Sequence, residues 1–218
     1  FPLYMLTGKL FTLIMPWGDT AYKLNIYSAL LTAGSVAFLY MLLRSLGTSM
    51  LSSFLASAIF GLGRNTIWAN AGTANVYALT LFLSVILLNI FVKWNNSKNR
   101  KYIYLYSLLF GISLGTHILI VILGIPLLVM MWFELKKKEF KTIFYSVALS
   151  VLPLIQYIYI WIADKRNTII MLGDIDGLGG FMHYITQRDW ADKIANRTLE
   201  STGVFINTLS KLLAFEFF

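Results

Sequence analysis

Residues 102 to 133 form a run of 32 positions without a single Asp, Glu, Lys or Arg. As one straight helix the run would be about 48 Å long, against a bilayer hydrocarbon core of about 30 Å. Basic residues flank it on both sides: Lys98, Arg100 and Lys101 precede it, and Lys136, Lys137, Lys138 and Lys141 follow. Lys and Arg in short loops stay on the cytoplasmic side, so both ends of the run belong to the same face and the run must turn back. Gly111, Ser113, Gly115 and Thr116 are its helix-breaking residues, which places a hairpin tip near His117, on the face opposite the lysines.

The rest of the chain fits the same solvent. Hydrophobic residues make up 58% of it and charged residues 13%, with a mean hydropathy of +0.70. Most elements must therefore face lipid or one another. The expected fold is an all-α polytopic transmembrane bundle in one domain over residues 1–218, with about six membrane segments including the short-helix hairpin. Spanning candidates are Leu24 to Leu43, the shorter Leu51 to Leu62 after the break SLGTS, Ala74 to Val92, the hairpin, and Ile143 to Ile162. Residues 163–200 are polar and carry Gly and Asp turn signals, so they are expected to form a loop region with a short helix or loop at GFMHYITQRDW. Residues 201–218 read as an interfacial helix or the approach to a further span. The chain opens on Phe1 and closes on AFEFF in mid-pattern, which reads as an internal piece.

Charge fixes the expected orientation. Arg44 and the loops 93–101 and 134–141 hold nine Lys or Arg against two Glu, a net +7, whereas the rest of the chain carries a net +1. The basic set is expected in the cytoplasm, where it would also suit anionic headgroups. The net charge of +8 is thus a topology signal and gives no ground for a nucleic-acid partner. Residues 1–20, 64–75, 115–117 and 163–200 then share the extracytoplasmic side, where the unexplained polar chemistry collects. The chain has no cysteine, which excludes disulfides and thiolate chemistry. His117 and His183 lie too far apart in sequence for a zinc motif, and no glycine-rich nucleotide loop follows a strand.

Five stretches resemble the DUF2723 family of protein O-mannosyltransferase-like membrane proteins, within the wider GT-C glycosyltransferases. FPLYMLTGKLF at 1–11 is similar to the continuation of that family's His-Pro-Pro-Gly-aromatic-Pro-Leu motif, and AYKLNIYSALLTAGSVAFLYMLLR at 21–44 to the helix after it. IWANAGTANVYALTLF at 67–82 resembles its Trp-Ser-Gln and Ala-Glu-Val-Tyr-Ser-Leu segment, with Asn75 in place of the usual Glu. FGISLGTHILIVILGIP at 110–126 resembles Gly-Leu-Gly-Leu-Thr-Asn-His. LGDIDGLGGFMHYITQRDW at 172–190 resembles the Trp-Gly-Asp-Pro region, with Leu172 in place of Trp.

The resemblance implies transfer of a sugar, with mannose expected, from a polyprenyl-phosphate carrier to a hydroxyl on a protein or glycan acceptor. The membrane would be a bacterial inner membrane or the endoplasmic reticulum. The family's essential acidic residue would precede Phe1, and a divalent metal is compatible with such an enzyme. The substrate-binding candidates are Asn75, Tyr77, His117, Asp174, Arg64 and Arg166. Arg64 and Arg166, with Lys165, are either phosphate contacts or interface anchors. His117 is either a cap of the helix turn or a donor to the carrier phosphate or sugar. Asp174 is either a local turn residue or a sugar contact. Tyr77 and Trp68 either stack on a sugar or pack as interface aromatics. Asn75 can hydrogen-bond a sugar hydroxyl but cannot act as a base. Two other classes stay open, a transporter or flippase of a lipid-linked substrate and a non-catalytic membrane scaffold.

Overall fold

The computed structural model describes residues 1–63, 67–164 and 177–186, and every regular element among them is helical. In chain order these are α1 (Pro2–Ile14), α2 (Thr20–Ser45), α3 (Met50–Leu62), α4 (Ala69–Gly72), α5 (Val76–Ser97) and α6 (Arg100–Ser113). A 3-10 stretch (Ile118–Leu123) then leads into α7 (Gly124–Lys136). After a short turn come α8 (Phe140–Val151), a second 3-10 stretch (Leu152–Tyr157), α9 (Ile158–Asp164) and α10 (Gly177–Thr186). Four continuous helical segments are long and apolar enough to cross a membrane: Thr20–Ser45, Val76–Ser97, Ile118–Lys136 and Phe140–Ile162. Pro2–Ile14 and Met50–Leu62 are shorter apolar helices.

Local signals explain the boundaries. Asp19, Ser49, Asn75 and Asn99 each accept a backbone N–H of the first turn of α2, α3, α5 and α6, relieving donors that have no intrahelical partner. α5 and α7 are both followed by a lysine with positive φ, Lys98 at 52° and Lys138 at 60°. Such a left-handed turn costs a residue with a Cβ about 1 kcal/mol.

Inter-helix bonds fix the directions. Asn75 N–H donates to Ser28 Oγ at 3.2 Å, and Asn89 Nδ2 donates to the Phe38 carbonyl at 2.9 Å, so α2 and α5 run parallel. Arg44 and the 93–101 loop therefore sit at one end of the bundle. Arg100 closes the same end by bonding Glu134 at 2.8 Å and Glu139 at 2.7 Å, with Lys137 on Glu134 at 3.2 Å. The basic set is gathered at one end, and 102–133 turns back as its flanking charges require.

Two apolar clusters hold the bundle. Leu87, Ile90, Trp94, Ile103, Tyr106, Leu127 and Met130 join α5, α6 and α7. Leu31, Ala78, Leu79 and Leu83 join α2 to α5, with Leu3, Tyr4, Tyr27 and Phe82 packed against them. Small hydroxyl residues line several contacts and bond their own helix, as Thr32 does to Ser28 O and Ser35 to Leu31 O. Small side chains of this kind let helices approach closely where the surroundings are apolar. The outward faces are hydrophobic: Leu128, Phe144 and Leu152 are among the exposed large side chains. That inverts the arrangement of a water-soluble bundle.

Two details extend or correct the sequence reading. Residues 1–20 were placed on the external side without an element assigned to them, and within them Pro2–Ile14 is helical and packs antiparallel on α2. Tyr27 Oη donates to Thr7 Oγ1 at 2.8 Å and Lys23 Nζ to the Thr12 carbonyl at 3.0 Å, and these contacts hold it. Gly111 and Ser113 were expected in the break, but both are helical, and the turn begins at Leu114.

Candidate functional site

The turn 114–117 is densely hydrogen-bonded. A helix end leaves carbonyls without partners, and in an apolar surrounding each must find one. Phe110 O accepts from Leu114 N–H at 3.0 Å, and Ser113 O accepts both the N–H and the hydroxyl of Thr116, at 2.9 and 2.7 Å. Gln156 Nε2 donates to Ile112 O at 3.1 Å and Gly111 O at 3.4 Å, and Tyr157 Oη donates to Leu114 O at 2.7 Å. Gly115 O accepts the Leu3 N–H at 3.1 Å, tying α1 to the tip. A Cβ at Gly115 would meet the Gln156 amide, which would have to move away from the Ile112 and Gly111 carbonyls it now bonds.

This scaffold presents His117. Its backbone is extended, and its Nδ1 accepts the Leu119 N–H at 3.2 Å as the cap of the 3-10 stretch. An accepting Nδ1 leaves the neutral ring's proton on Nε2, which is then a donor. Partial burial lowers the imidazole pKa from its ordinary value, which favours the same neutral form. The ring lies between two aromatics: Phe1 stacks at 5.3 Å with 19° between planes, and Tyr77 packs at 5.0 Å with a 46° tilt.

Asn75 is next to this cluster in the chain and fixes the start of α5. Its Oδ1 accepts the Tyr77 N–H at 2.8 Å, and its own N–H reaches buried Ser28. Ser28 also meets Tyr4 Oη at 3.3 Å, so α1, α2 and α5 converge there. Three of the sequence-predicted residues, Asn75, Tyr77 and His117, are thus brought together at the end opposite the basic turns 93–101 and 134–141. Arg64, Arg166 and Asp174 lie outside the described residues, as does Lys165. Trp68 is exposed beside α4.

Both Asn75 and His117 use one acceptor on local backbone, which is the capping role weighed from sequence. For His117 the cap occupies Nδ1 and leaves the Nε2 donor as the group that a ligand would meet. Phe1, Tyr4, Ser28, Asn75, Tyr77 and His117 include no carboxylate. Among the described residues no group of three His, Cys, Asp or Glu could hold a metal ion. The cluster can therefore stack a ring and donate hydrogen bonds, and the basic nitrogen of its imidazole is taken up by the Leu119 N–H.

Sequence reasoning missed Ser28, Gln156 and Tyr157. Gln156 did leave a signal, as the one carboxamide in the apolar run 143–162. A lone amide in such a run must bond to something buried.

An all-helical bundle with four bilayer-length apolar segments, and with Arg44 and the basic turns 93–101 and 134–141 at one end, is a polytopic membrane protein. Residues 1–142 match the family described as protein O-mannosyl-transferase TMEM260 N-terminal domain, and the chain belongs to that family. No solved structure matches the chain.

Proposed function

We propose that this protein is a GT-C-type glycosyltransferase that moves a sugar, mannose in the first instance, from a polyprenyl-phosphate carrier to a hydroxyl acceptor on protein. Its active side is the extracytoplasmic face. The observation that carries the reading is the convergence of Asn75, Tyr77 and His117 at the end of the bundle opposite the basic turns 93–101 and 134–141, in a chain of the O-mannosyltransferase family.

The chemistry follows from the groups. An acceptor oxygen gives its proton to a carboxylate base and bonds to the sugar C1, while the bond from C1 to the phosphate oxygen breaks and polyprenyl phosphate leaves. The His117 Nε2–H donates to the phosphate or to a sugar oxygen, with its ring held by Phe1 and Tyr77. Tyr77 offers a face to the sugar, and Asn75 sets the position of Tyr77 through the cap of α5. Arg64 and Arg166 supply positive charge to the leaving phosphate, and Asp174 contacts the sugar. The base is a carboxylate outside the cluster.

The test is sugar transfer by the full-length protein carrying His117→Ala, at matched membrane levels. Transfer is expected to fall at least tenfold while insertion is unchanged, in line with loss of one transition-state donor. Equal transfer would reject the role of His117. Orientation is tested separately by tags in the 93–101 and 134–141 loops, which should be shielded from an external reagent in sealed cells or vesicles.

A further inference from the structure

The basic end does more than mark topology. The turns 93–101 and 134–141 carry eight Lys or Arg and two Glu. Both carboxylates are bonded to cations of the same patch. Glu134 is 1% exposed and held by Arg100 and Lys137, and Glu139 is bonded to Arg100. Six lysines stay outside these ion pairs: Lys93, Lys98, Lys101, Lys136, Lys138 and Lys141.

The two turns form one surface. Arg100 bridges from the start of α6 to the α7–α8 turn, and the Lys98 ammonium sits 4.3 Å from the Trp94 ring and 5.0 Å from Phe133 across the interface. Lys101 lies over Tyr102 at 5.0 Å, and Lys136 over Trp132 at 5.3 Å. Ammonium groups seated on aromatic rings at the ends of apolar helices mark the depth of the lipid headgroups. Each turn also places a lysine at the left-handed position that glycine fills at no steric cost. A backbone that keeps charge where a smaller residue fits better points to a use for the charge.

We propose that these paired turns form a binding surface for anionic phospholipid headgroups in the adjoining leaflet, with Lys138 and Lys141, both exposed and outside the ion pairs, among its phosphate contacts. Charge complementarity selects the partner, because a zwitterionic headgroup offers the patch no net attraction. The proposal is independent of the sugar-transfer reading.

The test uses the full-length protein in neutral-detergent micelles at low salt, with thermal unfolding followed by intrinsic fluorescence. Phosphatidylglycerol, phosphatidylcholine and inorganic phosphate are added at equal phosphate concentration. A ligand that binds the folded state raises the midpoint, and phosphatidylglycerol alone is expected to do so. In Lys138→Gly/Lys141→Gln the lipid-free midpoint should hold or rise, because the strained backbone is relieved, while the phosphatidylglycerol shift falls at least twofold. Lys138→Arg/Lys141→Arg and the distant Lys9→Gln should keep the full shift. Equal shifts with phosphatidylcholine, a shift reproduced by phosphate alone, a full shift in the Gly/Gln variant, or an equal loss in Lys9→Gln would each overturn the proposal.

Discussion

Gly111 of α6 and Ser150 of α8 meet backbone to backbone: a Cβ on Gly111 would overlap the Ser150 carbonyl. Because the obstacle is main chain, it cannot rotate away. Gly111→Ala is expected to destabilise the protein by about 1–3 kcal/mol, as overpacking does elsewhere. Gly72→Ala, where an added Cβ meets nothing within 4 Å, should stay within about 0.5 kcal/mol. Thermal unfolding in detergent measures both, and equal effects would show that the α6–α8 crossing can relax.

His117 gives the tip a pH response of definite sign. Burial lowers its folded pKa, so between that value and the unfolded value of about 6.5 the unfolded chain binds more protons. Its contribution to stability is complete above about pH 6.5 and is lost as pH falls through the window below it. His117→Asn keeps an acceptor for the Leu119 N–H but does not titrate. The variant should therefore flatten the pH dependence of the unfolding midpoint below about pH 6.5. An unchanged slope would assign the response to another group.

Asn89 sits in the middle of α5 and donates to Phe38 O at 2.9 Å and to Val85 O at 2.8 Å. Hydrogen bonds between membrane helices average about 0.6 kcal/mol. With the small cavity added, Asn89→Ala should cost about 1–2 kcal/mol, whereas exposed Asn96→Ala should be near neutral. Reversible unfolding in mixed micelles compares them directly.

Arg100 bonds two carboxylates of different burial, Glu134 at 1% exposed and Glu139 at 39%. Water screens the second pair more strongly. Double-mutant cycles with Arg100→Gln should give a larger coupling to Glu134→Gln than to Glu139→Gln. Coupling of the same size in both cycles would show that burial does not govern this clasp.

The membrane bundle was legible because its two controlling signals, apolar length and lysine position, act through the solvent and need no knowledge of contacts. The hairpin at 102–133 follows from them. Helix α1 was not legible: Gly8, Lys9 and two threonines interrupt its apolar pattern, and bonds to Tyr27 and Lys23 of α2 hold it in place. Gly111 looked like a breaker, yet its missing side chain serves an approach between helices, which a local reading cannot distinguish from a bend. The site was half legible. His117 stood out as an ionisable ring in an apolar run, and Asn75 and Tyr77 came from the family resemblance. Their meeting depends on the parallel course of α2 and α5 and on the carbonyls that Gln156 and Tyr157 satisfy, and no sequence spacing encodes either.

The 3-10 coil at Ile118–Leu123 has a consequence for reach. Its rise is about 2.0 Å per residue where an α-helix gains about 1.5 Å. The 19 residues of Ile118–Lys136 thereby stretch to about 31 Å instead of about 28 Å. The 22 residues of α5 cover about 33 Å. Tighter winding nearly makes up for three missing residues, which lifts His117 to the height of Tyr77. If that stretch were rewound as an ordinary helix, the imidazole would be drawn down the bundle axis, out of register with the ring it now faces.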